Sequence, residues 1–423
     1  IDGPNGELPS FQFYIRKSLK PFFEMWRKKR SQFRAAIKTK SLATEPPRSG
    51  LTLIDQFVFP NFITKERYYN DLWDTLSSEQ QQKTFFVPTL VMIKDENFEK
   101  AYNELRNCDR NFLIKEDYLN SSDLLFSLLH LFRVWFIKPP PQEVMGVNFS
   151  PLIREELLSR AGFDSALEGL LNYRFAKRLK EKSFDLSLVI DWWEGQPLDR
   201  GWNLGFNRFF HATPTIGYIG YSPGVLELQL YPSKSETNNH VVPDMIYTIS
   251  RRLRDEIKEK YSIFEVKTAP AFRFGHLWQN RIENERDSGS FKILLALSVM
   301  LDDSVNILEQ FIACGLDFEQ NAIEILIKPH PTMSVEILKN HIGKKWINHF
   351  REVEGFTPDY IRKSDLLITG RSSVGLEAVV MGVPVIVVEK LSGLAYDPIP
   401  ESVPKELWRN CRSPKEISEA IKS

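Results

Sequence analysis

At 423 residues the chain is too long for one ordinary core and predicts two domains of about 200 residues each. Its 55 Lys and Arg balance 55 Asp and Glu, so no global field recruits nucleic acid, and 42% apolar content with 26% charge is that of a water-soluble fold. Cys108, Cys314 and Cys411 are odd in number and far apart, without a CxxC pair, which excludes a disulfide framework, argues against structural zinc and fits a reducing, cytoplasmic setting.

The first fifty residues differ from the whole. They hold eleven Lys and Arg against four acids, clustered in Trp26-Arg27-Lys28-Lys29-Arg30. Phe22, Trp26, Phe33 and Ile37 fall near one face of a helix that Pro21 is placed to start. Residues 1–49 therefore read as a basic helical arm and linker, and residues 10–40 suit an anionic membrane surface. The same pattern suits a helix packed on its own domain. No apolar run approaches the roughly 18 residues of a membrane span, and the amino end lacks a signal-peptide layout.

A first domain is expected over residues 50–265, opening with a strand at 51–58. Phe85 to Pro88 reads as a strand end, residues 123–132 as a helix containing a packed His130, and residues 154–182 as mostly helical. The strand-like run Phe184 to Ile190 then opens into Asp191-Trp192-Trp193-Glu194-Gly195, followed by Asp199, Arg200 and Gly201. A carboxylate presented at a strand's carboxyl end, beside two tryptophans, is placed to act as a general base on a hydroxyl. Burial against Trp192 and Trp193 would raise its pKa toward the working range. Pairing of Glu194 with Arg200 or Arg208 is the competing structural reading. A strand at 215–221, another at 244–250, a charged helix from Arg251 to Tyr261 and a short strand at 264–267 complete the domain.

The second domain, residues 266–423, begins its sheet at 292–298. A helix over 303–314 follows, then the apolar run Ile323 to Ile327 ending in Lys328-Pro329-His330-Pro331. A second run, Leu366 to Thr369, ends in Gly370-Arg371-Ser372-Ser373, with Gly375 and a helix-like Leu376 to Val380 behind it. Short apolar segments that end in polar residues are the mark of parallel strands delivering groups to a sheet's carboxyl edge, where ligands bind. Free N–H groups at the following helix start, with Lys328, His330 and Arg371 nearby, suit a phosphate. Alternation of strands and helices predicts parallel sheets wrapped by helices.

Three short motifs, Trp193-Glu194-Gly195, Lys328-Pro329-His330-Pro331 and Arg371-Ser372-Ser373, resemble those of bacterial GT-B glycosyltransferases that use CMP-activated acidic sugars. These are the sialyltransferases, polysialyltransferases and Kdo transferases of capsule and lipopolysaccharide synthesis. Gly375-Leu376-Glu377-Ala378 through Val385 is also similar to the nucleotide-binding region of GT-B enzymes broadly. The matches cover residues 190–200 and 323–390.

The resemblance implies an α/β, GT-B architecture: two Rossmann-like domains whose parallel sheets face each other across a cleft, the first binding acceptor and the second the nucleotide sugar. It implies a transferase moving Kdo or a sialic-acid-like nonulosonate from CMP to a surface polysaccharide or lipid-linked glycan, peripheral on the inner face of the membrane. Glu194 would take the acceptor proton, with Asp191 as a second carboxylate, and His330 would support the departing CMP. Lys328, Arg371, Ser372 and Ser373 would hold the phosphate and Glu377 the ribose. The chain lacks a DxD motif, so neither a metal nor a cofactor is expected. The family's acidic motif often carries two adjacent carboxylates, whereas Trp193 precedes Glu194 here. For a retaining course through a covalent adduct, Asp191, Asp199 and Asp244 are candidate nucleophiles. A UDP- or GDP-sugar or CDP-glycerol donor is the alternative within enzymes, and a non-catalytic module of a polysaccharide assembly complex the alternative outside them.

Overall fold

The computed structural model describes all residues except 1–9, 43–44, 61, 65–67, 161, 225–226, 261–264, 280–288, 317–321, 332, 391–398, 401 and 423. The expected ends at Tyr261 and Phe264 lie outside the described residues. Two compact units are present, one of residues 1–220 and 229–272, the other of residues 221–228 and 273–423.

The first unit holds a six-stranded sheet of β1 (Leu51–Val58), β2 (Thr84–Leu90), β3 (Leu186–Trp192), β4 (Thr215–Ile219), β5 (Met245–Thr248) and β6 (Glu265–Thr268). The order is β2-β1-β3-β4-β5-β6 and every pairing is parallel. The strand expected to end near Pro88 runs on to Leu90. Proline is tolerated there because β2 is the sheet's edge strand, whose outer side is met only by an isolated bridge from Phe86 to Phe112 among the described residues. From β1 the chain steps out to β2 and returns on the other side to β3, so the topological switch point lies between β1 and β3.

Helix α1 (Phe11–Thr39) belongs to this unit. It begins ten residues before Pro21, where Ser10 caps it by accepting from the Phe13 N–H. Pro21 is interior and cannot bond the carbonyl of Lys17 one turn earlier. The Arg160 guanidinium donates to that carbonyl instead, at 2.8 Å. Ala35 and Ala36 pack into a cluster with Phe98, Ala101, Tyr102 and Leu105, and Phe33 enters the main core with Leu51, Leu53 and Phe85. The inner face of the basic helix is thus core.

Two further helices fix the edge of β3. In α2 (Phe163–Glu181) and α3 (Pro197–Phe209), Gly169 and Gly201 meet so closely that a Cβ on either would overlap the other helix's backbone. This close crossing seats the start of α3, and so the loop between β3 and α3, against the sheet.

The second unit's sheet comprises β7 (Phe291–Ala296), β8 (Ile323–Lys328), β9 (Phe350–Glu352), β10 (Leu366–Thr369), β11 (Val385–Val388) and β12 (Trp408–Cys411). Its order is β9-β8-β7-β10-β11-β12, again wholly parallel. That is the order of a dinucleotide-type doubly wound sheet, with its switch point between β7 and β10. The interior strands are apolar on both faces because helices cover both sides: all four residues of β10 and of β11 are buried. Among the described residues no helix is long and apolar enough to cross a membrane.

Candidate active-site edges

The first edge is built at the carboxyl ends of β1 and β3. Ile54 pairs with Ile190, so the next residue along each strand, Asp55 and Asp191, brings a carboxylate to the switch point. Both are 1% exposed. Asp191 accepts from the Asn203 carboxamide at 2.6 Å through one oxygen, and among the described residues its other oxygen has no partner. Neither oxygen of Asp55 has one. Asp199, in the first turn of α3, accepts from the backbone N–H groups of Glu194 (3.0 Å) and Gln196 (2.8 Å), while its second oxygen is also left over. Asp199 therefore shapes the loop that carries Glu194.

Glu194 itself is held by two donors. The Trp192 indole N–H donates to one oxygen at 2.8 Å and the Gln196 amide to the other at 2.6 Å. Trp192 thus meets the carboxylate with its polar edge rather than as an apolar wall. Arg200 pairs with Glu236 at 2.5 Å and also donates to the Gly195 carbonyl. Gly195 has φ of +69°, and a Cβ there would overlap the Gln229 carbonyl, so this turn admits no side chain.

Behind these acids lies a cationic counterweight that sequence spacing did not indicate. Lys115 is fully buried and donates to Thr89 (3.0 Å), Asn172 (2.9 Å) and Glu168 (3.2 Å). Glu168 also pairs with the buried Lys29 of α1. Burial would raise the Glu168 carboxyl, but Lys29 and Lys115 more than offset it and hold it down to about 2. Asp55 is pushed up to about 7 by burial, against the pull of Lys115. Asp191 and Asp199 are driven well above the carboxylate range by burial, Asp191 also by the charge of Asp199 and Asp199 by that of Asp55. Burial therefore favours the protonated form of these carboxyls, which can donate as well as accept, beside an oriented glutamate.

Asp244 is elsewhere. It precedes β5 and accepts from the N–H (2.9 Å) and hydroxyl (3.0 Å) of Thr215, the first residue of β4. It ties the amino ends of two strands, at the opposite edge from Asp191 and Glu194, and so drops out as a candidate nucleophile.

The second edge has the opposite character. Lys328 and Thr369 both pair with Ala296, so β8, β7 and β10 end side by side. Lys328 is 6% exposed, and burial lowers its pKa while Glu354 opposes that shift. His330 follows immediately and its carbonyl closes a turn by accepting from Met333 N–H at 2.8 Å. Beyond β10, Ser372 caps α4 (Ser373–Val380), its hydroxyl accepting from Val374 N–H at 3.4 Å. A hydroxyl that accepts in this way keeps its own proton to donate to an anion. Ser373 stands at the first helical position, and a Cβ added at Gly375 would stand 3.6 Å from Thr369 and Val385, so α4 lies close over β10 and β11. The residues that follow the central strands, Lys328 and His330 at the end of β8 and Arg371, Ser372 and Ser373 after β10, thus stand at the carboxyl edge of one sheet.

Glu377, one turn further on, is already engaged: His276 approaches it at 3.2 Å, and the imidazole stands edge-on to Phe356 at 5.3 Å. His276 escaped the sequence reading because it lies 101 residues from its partner. Among the described residues no group of three or more His, Cys, Asp or Glu is placed to hold a metal ion.

No family model and no curated protein matches the chain. Solved structures do. A structure described as a co-structure of MnaA from S. aureus with UDP is 12% identical, with 88% of this chain and 87% of that one covered and a TM-score of 0.50. An alpha,alpha-trehalose 6-phosphate synthase from Burkholderia multivorans is 12% identical over 89% and 88%, at a TM-score of 0.49. The UDP-GlcNAc 2-epimerase from Methanocaldococcus jannaschii is also 12% identical, over 88% and 92%, at 0.49. The fold class expected from the sequence, α/β of the GT-B type, is the one observed: two parallel six-stranded sheets flanked by helices.

Proposed function

We propose that the chain is a GT-B transferase that moves a sugar from a nucleotide donor to a hydroxyl acceptor. The observation that supports this is the carboxyl edge of the second sheet, where Lys328 and His330 come at the end of β8 and Arg371, Ser372 and Ser373 lead from β10 into α4. Cleavage of a sugar–phosphate bond develops negative charge on the departing phosphate. Helix-start N–H groups, two hydroxyls and nearby cations stabilise that charge in place. Glu194 is the base for the acceptor hydroxyl, and the buried aspartates behind it hold its loop and its protons. Glu377, paired with His276, positions the nucleoside.

For the donor, the likeness to a fold crystallised with UDP supports a UDP-sugar. The motifs Glu194-Gly195, His330-Pro331 and Ser372-Ser373 support the second reading, a CMP-activated Kdo or nonulosonate. The acceptor in either case is a surface polysaccharide or lipid-linked glycan, reached at a membrane contacted through residues 10–40. Thermal melts with UDP, CMP, GDP and CDP-glycerol separate these readings. The true donor's nucleotide, at a hundredfold excess over its Kd, adds about 2.7 kcal/mol and raises Tm by several degrees. A shift with none of the four would refute the transferase reading in favour of a non-catalytic module.

A further inference from the structure

The inner face of α1 is buried, yet its outer face is unlike the rest of the surface. Arg16, Lys20, Phe23, Arg27, Arg30 and Arg34 recur at intervals of three and four, which places them on one stripe. All six are exposed. Phe13 and Ile37, 41% and 63% exposed, extend the stripe at its two ends. From Phe13 to Ile37 the stripe spans about 36 Å of helix. The only acid of α1, Glu24, sits at its border, 3.8 Å from Lys20. Of the other cations of α1, Lys29 on the inner face pairs with Glu168, and Lys38, which continues the stripe at its carboxyl end, pairs with Glu99. At the amino end of α1 the exposed apolar surface continues, where Phe11 meets Phe136, itself 70% exposed, at 6.0 Å.

We infer that this stripe lies flat on an anionic lipid bilayer, its five cations at the headgroups and Phe13, Phe23 and Ile37 in the acyl boundary. The charge is complementary to acidic headgroups, five cations of the stripe facing the one bordering acid of its helix, Glu24. The exposed aliphatic side chains of Leu19 and Ile37 bury in hydrocarbon but do not stack on bases, which favours lipid over nucleic acid. The inner face anchors the helix rigidly: Lys29, Gln32 and Ala36 are fixed in the first unit's interior, so the stripe is displayed without a folding step on binding.

The inference deepens the membrane contact proposed for residues 10–40. Its test uses no nucleotide, so its failure and that of the donor assignment are read separately. The full chain is sedimented with vesicles of phosphatidylcholine alone or with phosphatidylglycerol added, and titrated in parallel against single-stranded RNA. The expected result is capture by the anionic vesicles only, with at least about a tenfold loss in the triple variant Arg27→Glu/Arg30→Glu/Arg34→Glu. The corresponding triple Arg→Lys variant keeps the affinity, since charge and not guanidinium geometry is read. Phe23→Ser/Phe136→Ser lowers the binding that survives at high salt. All three variants melt as the parent does, because the altered side chains face outward. Failure to bind anionic vesicles, equal capture of the charge-reversed variant, or tighter binding to the RNA than to the vesicles would overturn the inference.

Discussion

The two sheets share one plan and carry opposite chemistry. Each is parallel, six-stranded and ends its central strands at a switch point. At β1 and β3 that position carries Asp55 and Asp191, buried with oxygens left over and backed by Lys115. At β8 and β10 it carries Lys328, Ser372 and Ser373 around a helix start. Strand topology thus chooses where a site can be built, and the few residues after each strand choose its charge. An edge that sets an oriented glutamate among carboxyls whose proton affinity burial raises suits taking up a proton at that glutamate, and an edge of hydroxyls and cations suits receiving an anion.

The contrast can be broken from either side. The largest effect is expected from Glu194→Gln, which keeps the shape but removes the base: turnover should fall about 10²–10⁴-fold in a coupled nucleotide-release assay, with nucleotide affinity unchanged. Next is Gly195→Ala. The residue's φ of +69° and the Gln229 carbonyl make any side chain there cost about 2–4 kcal/mol, read as a drop in denaturation midpoint.

Asp55→Asn sharpens the electrostatic half of the account. The folded carboxyl keeps its proton up to about 7, whereas the unfolded one releases it near pH 4. The folded state therefore binds more protons between those values, and the stability this group contributes is full below about pH 4 and falls as pH rises to 7. Asparagine does not ionise, so the variant should gain on the parent across that window, by about 1–3 kcal/mol at pH 8. A constant difference in Tm from pH 4 to 8 would show that Asp55 is ionised in the fold. The smallest effect belongs to the helix start: Ser372→Ala loses the cap to Val374, about 1 kcal/mol, while Ser373→Ala leaves stability nearly unchanged.

Much of this was legible in the chain because it was local. Apolar runs such as Leu366 to Thr369 and Val385 to Val388 announced buried parallel strands, and the polar residues after them announced the carboxyl edge. Glu194, Lys328, His330 and Ser372 were readable for the same reason. Asp191 and Asp199 were readable in the stretch after β3, but the groups buried around them were not: Asp55 of β1, Lys115 and Glu168 of α2 come from distant parts of the chain, and no spacing links them. Lys29 shows the limit sharply. Within a basic run it reads as one more solvated charge, yet its partner Glu168 draws it into the interior. Pro21 misled for a physical reason as well, since its broken hydrogen bond is repaired by Arg160, far away in sequence.

The most direct test of the account is calorimetric titration of UDP and of CMP into the parent chain and into Ser373→Ala and Lys328→Ala. The account predicts that one nucleotide binds the parent and that each substitution weakens it at least about tenfold, the loss of one charge-assisted hydrogen bond. Binding of equal strength in all three proteins would place the nucleotide elsewhere and contradict the assignment of this edge.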